Sequence, residues 1–390
     1  MFGEINPRKK ARAPFISIEE ALEETRRGHM IILMDDEQRE NEGDLCMAAE
    51  KVTPEAINFM AKFGRGLICL PMSSERIDRL GLSMMVGDNQ APLGTAFTTA
   101  ITARRASGSG ISAHDRSITI LQAVREDASG AEFITPGYVY PLRARDGGVL
   151  VRTGQTEGAV DLARLAGLKP AGVICEILKE DGTMARRDDL VEFAKAHSLK
   201  IVTVADIIEY RLRNETMVQR IAEAKLPTAF GEFSAIVYRN LVDNTEHIVL
   251  VMGKVDPKKP ILVRAHREYL PGDVFGYSMR NTRNLLRSAM ERIAEAHEGV
   301  LLYLKRESNA LASDFDGGRP GKRATTRANT PEADFRDYGI GAQILRDVGV
   351  RKMIIMSDAT PRLANLPGYG LEIVGSVPLS TNGKHSAAAK

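Results

Sequence analysis

A chain of 390 residues has room for two ordinary domains, each with its own core. Its 53 basic residues nearly cancel its 51 acidic ones, so no strong field favours nucleic acid or an acidic membrane, and the locally basic NPRKKAR near the start is read as a solvated tail. Cys46, Cys69 and Cys175 are far apart and form no C-x-x-C, and no apolar run approaches the roughly 18 residues of a membrane span. Together with a charged start that lacks the apolar core of a secretory signal, these features predict a soluble cytoplasmic protein in a reducing compartment, without a disulfide framework or a thiolate zinc site.

In chain order, SIEEALEETRRG predicts a helix with Ser17 at its cap, Glu20 completing a capping box and Gly28 as its stop, followed by a buried strand at MIILM. Thr53-Pro54 opens a second helix that Gly64 closes, GLICLP reads as the next strand, and SAHDRSITILQAVRE gives a helix capped by Ser112. QTEGAVDLARLAG, AGVICEIL, DDLVEFAKAH and KIVTVADIIEYR continue the mixture of elements. The polar stretch NETMVQRIAEAK reads as helical and, before Pro227, as a connector. FSAIVYRN, HIVLVMGKV and PILVRAH then alternate like neighbouring strands, and NLLRSAMERIAEAHEG and GIGAQILRDVG read as helices. The expected fold class is α+β with two mixed α/β domains: 1–213, a linker at 214–226, a second domain at 227–378, and a disordered tail at 379–390.

Between the first strand and the next apolar run lies MDDEQRENEGD, Met34 to Asp44. A solvated loop is the bland reading of an acidic run. The order Arg39-Glu40-Asn41-Glu42-Gly43-Asp44 supports a sharper one, because an arginine can hold a phosphate while the acids hold a hard divalent cation and polyol oxygens. That combination suits a sugar phosphate.

The same stretch, with LGTAFT, GISAHDR, GGVLVRTG, AGVICEIL and DGTMARRDDL in the same order, resembles 3,4-dihydroxy-2-butanone-4-phosphate synthase from about Ala11 to Arg213. That family of lyases converts ribulose 5-phosphate to a four-carbon phosphate and formate in riboflavin biosynthesis. The resemblance implies that Glu40 is a metal ligand, that Arg39, Asp44, Arg152 and Thr156 bind substrate, and that Glu176 is a catalytic carboxylate. It also implies a magnesium or manganese cofactor and a homodimer. Two of these residues have structural alternatives: Glu176 as a strand residue paired with an arginine, and Thr156 as a helix cap. Enediol formation, loss of water and a skeletal shift require adjacent oxygens held by a metal, with acids and bases on both faces of the sugar.

Two positions depart from the family. Tyr138 in TPGYVYPL stands where the family has a catalytic histidine, and Gln155 in GQTE stands where it has a metal-binding histidine. Magnesium prefers oxygen, so the amide oxygen of Gln155 is expected to complete its sphere. An ordinary phenol titrates near pH 10 and an imidazole near about 6.5, so a tyrosine donates a proton readily and accepts one poorly. GSGIS and Leu93 are smaller departures. The pocket reads as re-cut, which keeps open an altered reaction on a pentulose phosphate, such as dehydration without rearrangement, or a non-catalytic binder of sugar phosphate or nucleotide.

RAHREYLPGDVFG, EGVLLYLKRES and ADFRDYGIGAQIL resemble GTP cyclohydrolase II, with Asp334 and Arg336 matching catalytic positions. Tyr269, Arg280 and Thr282 replace that family's three zinc cysteines. No zinc and no GTP cyclohydrolase II activity are therefore expected, and the domain reads as structural or regulatory.

Overall fold

The computed structural model describes residues 13–35, 39–106, 108–278, 282–305, 331–357 and 369–379, with backbone alone at 331–338. The chain divides into two units, Met1–Tyr210 and Arg211–Lys390. The basic NPRKKAR segment lies outside the described residues.

In the first unit, α1 (Ile18–Arg27) starts where the Ser17 hydroxyl accepts the Glu20 N–H and ends at Gly28, whose φ of 79° closes the last turn. The apolar MIILM becomes β1 (Ile31–Met34), buried throughout. The acidic turn does not lead into a helix. It returns into β2 (Gly43–Ala48), antiparallel to β1, with Leu33 opposite Asp44 and Met34 opposite Gly43. Next, α2 (Pro54–Phe59), capped by Thr53, widens into a π-turn over Met60–Gly64 and delivers the chain to β3 (Cys69–Met72).

There follow α3 (Ser74–Arg79), β4 (Ile101–Ala103), α4 (Ala113–Ala123) with its Ser112 cap, β5 (Phe133–Arg143), α5 (Gln155–Leu165), β6 (Gly172–Glu176), α6 (Arg187–Ala196), β7 (Ile201–Thr203) and α7 (Val204–Asn214). The strands form one mixed sheet in the order β4-β5-β3-β6-β2-β1-β7. One face carries Ile32, Leu45, Leu70 and Val173 against Ile57, Met60, Ile120 and Leu190 of the helices. α5 packs against β1, β2, β3 and β6, and Gly158 lets it approach Leu33. Strands covered on both faces are apolar along their length, which is why β1 reads as a run rather than an alternation.

The second unit holds β8 (Val218–Thr228), β9 (Gly231–Asn240), β10 (Glu246–Met252), β11 (Pro260–Arg267), α8 (Leu270–Asp273), α9 (Thr282–Ala296), β12 (Gly299–Leu304), α10 (Pro331–Asp347), β13 (Lys352–Met356) and β14 (Glu372–Val377). Its sheet runs β14-β13-β11-β12-β10-β9-β8, so β12 separates β10 from β11. Phe233, Leu250, Ile293, Leu301 and Met356 share its core.

Two expectations are corrected. The stretch 214–226 is no helical connector: residues from Val218 onward form β8, paired antiparallel with β9 through Thr228↔Gly231. Its residues from Gln219 to Pro227 are all exposed, so the alternation that betrays a strand is missing. The tail at 379–390 begins one residue too early, because Leu379 is buried in the second core, while 380–390 lie outside the described residues. Among the described residues no helix is long and apolar enough to cross a membrane.

Candidate active site

The turn between β1 and β2 is pinned from within by Asp35, a residue that sequence reasoning passed over. Its fully buried carboxylate accepts the N–H groups of Glu40 (3.2 Å) and Glu42 (2.9 Å) and the Nη1 of Arg39 (2.6 Å). Arg39 also donates through Nη1 to Gln155 Oε1 at 3.0 Å, and its Nη2 lies 3.2 Å from Glu40 Oε1. Asn41 turns the chain with φ of 56°, a left-handed conformation that asparagine tolerates. From the loop before α6, Arg186 donates to the carbonyls of Glu40 and Asn41 and to Glu42 Oε1.

Asp44 and Glu176 stand side by side on β2 and β6, in antiparallel register. Burial pushes the Asp44 carboxyl well above the usual range, and Glu176, Glu40, Asp35 and Glu42 push it further. Glu176 is also raised, chiefly by burial, although its Oε2 accepts the Leu67 N–H at 2.8 Å. Gly66 makes that contact possible: a Cβ there would stand 2.5 Å from Glu176 Oε2. The bonded partner of Glu176 is thus the Leu67 N–H, where an arginine had been the structural alternative. Behind the pair, burial raises the Cys46 and Cys69 thiols and pushes Cys175 up to about 12, so these cysteines are poor nucleophiles.

Across from the turn, Arg152 is buried with Glu157, a second residue missed in the sequence, at 2.6 Å. Its Nη2 donates to Thr95 Oγ1 at 3.2 Å. Burial raises the Glu157 carboxyl against the pull of Arg152. Thr156 is buried in the first turn of α5 and is not its cap, since Gly154 holds that position. Two guanidinium groups converge on Gly154: a Cβ there would lie 2.5 Å from Arg152 Nη1 and 3.1 Å from Arg39 Nη2. A paired Arg and Glu five residues apart at a helix start is the signal that could have found Glu157.

Tyr138 lies on β5 with its side chain 43% exposed. Its N–H donates to Thr102 Oγ1, and its ring lies beside Gly110. The structure therefore brings together Arg39, Glu40 and Gln155, joins Asp44 to Glu176, and sets Arg152 near Arg39, while Tyr138 stands on a more open strand.

Among the described residues no three His, Cys, Asp or Glu side chains converge as ligands. What favours a cation is the mutual repulsion of Asp35, Glu40, Glu42 and Asp44, together with Asn41 Oδ1, which is buried without a partner among the described residues. Such oxygens fit a hard ion that takes few carboxylates and keeps several waters.

In the second unit, several donors converge on Asp273. His266 Nε2 lies 2.9 Å from its Oδ1, and the Tyr269 N–H and Tyr303 hydroxyl donate to its Oδ2, both at 2.9 Å. Burial works against the charge, but hydrogen bonds led by that from His266 outweigh it and bring Asp273 down to about 2. Tyr269 and Thr282 are buried here, while Arg280 and the side chains of Asp334 and Arg336 lie outside the described residues.

Residues 19–210 match the family model of 3,4-dihydroxy-2-butanone 4-phosphate synthase, and residues 219–378 that of GTP cyclohydrolase II. The chain is 51% identical to the riboflavin biosynthesis protein RibBA of Aquifex aeolicus, covering 94% of this chain and 92% of that one. It is 44% identical to the bifunctional riboflavin biosynthesis protein RIBA 1, chloroplastic, of Arabidopsis thaliana, over 94% of this chain and 69% of that one. Among solved structures it is similar to RibBX, a two-domain 3,4-dihydroxy-2-butanone 4-phosphate synthase from A. baumannii, with TM-score 0.74, 38% identity and 93% and 99% of the two chains covered. A 3,4-dihydroxy-2-butanone 4-phosphate synthase in complex with two magnesium ions matches with TM-score 0.50 and 40% identity, over 52% of this chain and 99% of that one.

These likenesses overturn the expectation that GTP cyclohydrolase II activity is absent. That expectation rested on three side chains, whereas the likeness to the cyclohydrolase model spans the whole second sheet, and relatives with both halves include one named bifunctional. From the acidic turn to the last strand, the chain belongs to the RibBA family of riboflavin biosynthesis proteins, in which a 3,4-dihydroxy-2-butanone 4-phosphate synthase half precedes a GTP cyclohydrolase II half.

Proposed function

We propose that the first unit is a divalent-metal-dependent lyase that converts ribulose 5-phosphate to 3,4-dihydroxy-2-butanone 4-phosphate and formate. The atoms balance without a co-reactant. The observation that carries this reading is the approach of Arg39 and Arg152 to Gly154 beside a group of buried carboxyls, an anion clamp next to groups able to exchange protons. Arg39, Arg152 and Thr156 bind the phosphorylated ligand, with Glu157 steadying Arg152. Asp44, raised by burial and by the nearby Glu176, and Glu176, raised by burial and by Glu40, hold and return protons as the enediol forms and collapses. Glu40 is the proposed metal ligand; magnesium or manganese, when bound, supplies polarisation of adjacent sugar oxygens. The same reading implies a homodimer, which sedimentation at several protein concentrations tests.

The test is incubation of the purified protein with ribulose 5-phosphate and magnesium or manganese, with formate assayed and products identified by NMR. Stoichiometric formate supports the synthase, and consumption of substrate without formate sinks it. A second reading, an altered reaction on a pentulose phosphate, draws on the openness of Tyr138 and the engagement of Gln155 by Arg39. Under it, Tyr138→His with Gln155→His leaves formate release near zero and damages the native turnover. Under the first reading the same pair of changes raises formate release.

A further inference from the structure

Gln155 occupies a place from which a side chain could serve either a cation or an anion, and its hydrogen bonding separates the two. The Arg39 guanidinium is 3.0 Å from the amide. A guanidinium only donates, so the atom facing it is the oxygen, and the orientation of the amide is fixed by chemistry. The NH₂ end then points elsewhere, and Gln155 Nε2 is buried without a hydrogen-bond partner among the described residues. A cation on Oε1 would share that oxygen with a guanidinium, and a cation on the other side would meet two N–H bonds. Neither end suits a metal.

Arg39, by contrast, is short of freedom. Asp35, Glu40 and Gln155 surround its guanidinium, at 2.6, 3.2 and 3.0 Å. Of these three, Asp35 and Glu40 lie on the same turn as Arg39, and Gln155 alone comes from α5, the helix whose first turn also carries Thr156 and the Arg152 partner Glu157. The contact between Arg39 and Gln155, 116 residues apart in sequence, therefore fixes Arg39 relative to Arg152.

We propose that Gln155 is a positioning residue for Arg39, tying the arginine of the acidic turn to the start of α5 so that two guanidinium groups present one phosphate site, and that it is not a metal ligand. This rests on the sugar-phosphate reading of the site.

A double-mutant cycle on the full-length protein tests it. Gln155→Leu should weaken ribulose 5-phosphate binding, measured by calorimetry, about tenfold in the parent and not at all in an Arg39→Met background, since residues acting through one contact are not additive. The Mn²⁺ dissociation constant, measured by electron paramagnetic resonance without substrate, should stay within about twofold. Gln155→Met serves as a second variant if the leucine form does not fold. A loss of Mn²⁺ affinity of about tenfold, or an equal loss of ligand affinity in both arginine backgrounds, overturns the proposal. Failure of the parent to bind ribulose 5-phosphate refutes the sugar-phosphate reading. The same cycle with inorganic phosphate then decides the role of Gln155 separately: additive losses overturn it, and a loss confined to the Arg39 background supports it.

Discussion

Asp44 and Glu176 are cross-strand partners, one at the start of β2 and the other at the end of β6, with both carboxyls held above their usual range by burial. Side chains directly opposite on antiparallel strands share a face, so two like charges here would repel at close quarters. A folded-state pKa above the unfolded value adds stability at low pH and loses it as pH rises through the folded value. At pH 8 the pair is a net cost. Asp44→Asn mimics the protonated form, so its Tm should rise by about 2–4 °C at pH 8 and change little at pH 4, while turnover falls by about 10² or more. Calorimetric scans at both pH values check this, and a lower Tm at pH 8 would refute it.

Gly66→Ala should damage the site from behind. Its methyl would lie 2.5 Å from Glu176 Oε2 and 2.6 Å from the Glu176 carbonyl oxygen, and the carbonyl cannot move without distorting β6. The expected cost is about 1–3 kcal/mol in urea unfolding, with turnover down at least about tenfold. Wild-type kinetics in the variant would show that Glu176 needs no support from Leu67.

Glu157→Gln leaves the buried Arg152 without its counter-charge. Breaking such a pair on one side costs about 3–5 kcal/mol, and the freed guanidinium should reorient. Chemical denaturation should give a lower midpoint at unchanged slope, and the KM for ribulose 5-phosphate should rise more than kcat falls.

Asp273 stabilises the second unit in the opposite pH sense to Asp44. Its folded value, near 2, lies below that of an unfolded aspartate, so its contribution is present above about pH 4 and is lost as pH falls toward 2. Asp273→Asn should destabilise that unit by about 1–3 kcal/mol at pH 7 and by less at pH 3, read by hydrogen exchange of β11 and β12 amides. An equal effect at both pH values would remove the charge from the explanation.

Much of this was legible in the chain. Ser17, Thr53 and Ser112 cap helices as their spacing indicated, and the order of motifs carried the family, because caps and motifs are local. Asp35 was not legible, and Glu157 only through its spacing from Arg152. Each matters through a partner fixed by the fold: Asp35 through the N–H groups of a left-handed turn, Glu157 through an arginine five residues back that the helix start turns toward it. The Asp44–Glu176 pairing needed the register of strands separated by most of the first unit. The second domain taught the converse, since reading three substituted side chains as decisive underweighted the likeness of an entire sheet.

The polarity that disguised β8 as a linker also acts as a safeguard. β8 forms one border of its sheet, so one rim of its backbone N–H and C=O groups has no strand beside it among the described residues, a template on which a foreign strand could grow. Arg220, Glu223 and Lys225 place alternating charge along that rim, and Pro227 withholds a donor near its end. Replacing these residues with threonine and valine would make the strand easier to recognise in the sequence and turn the protein toward fibrils.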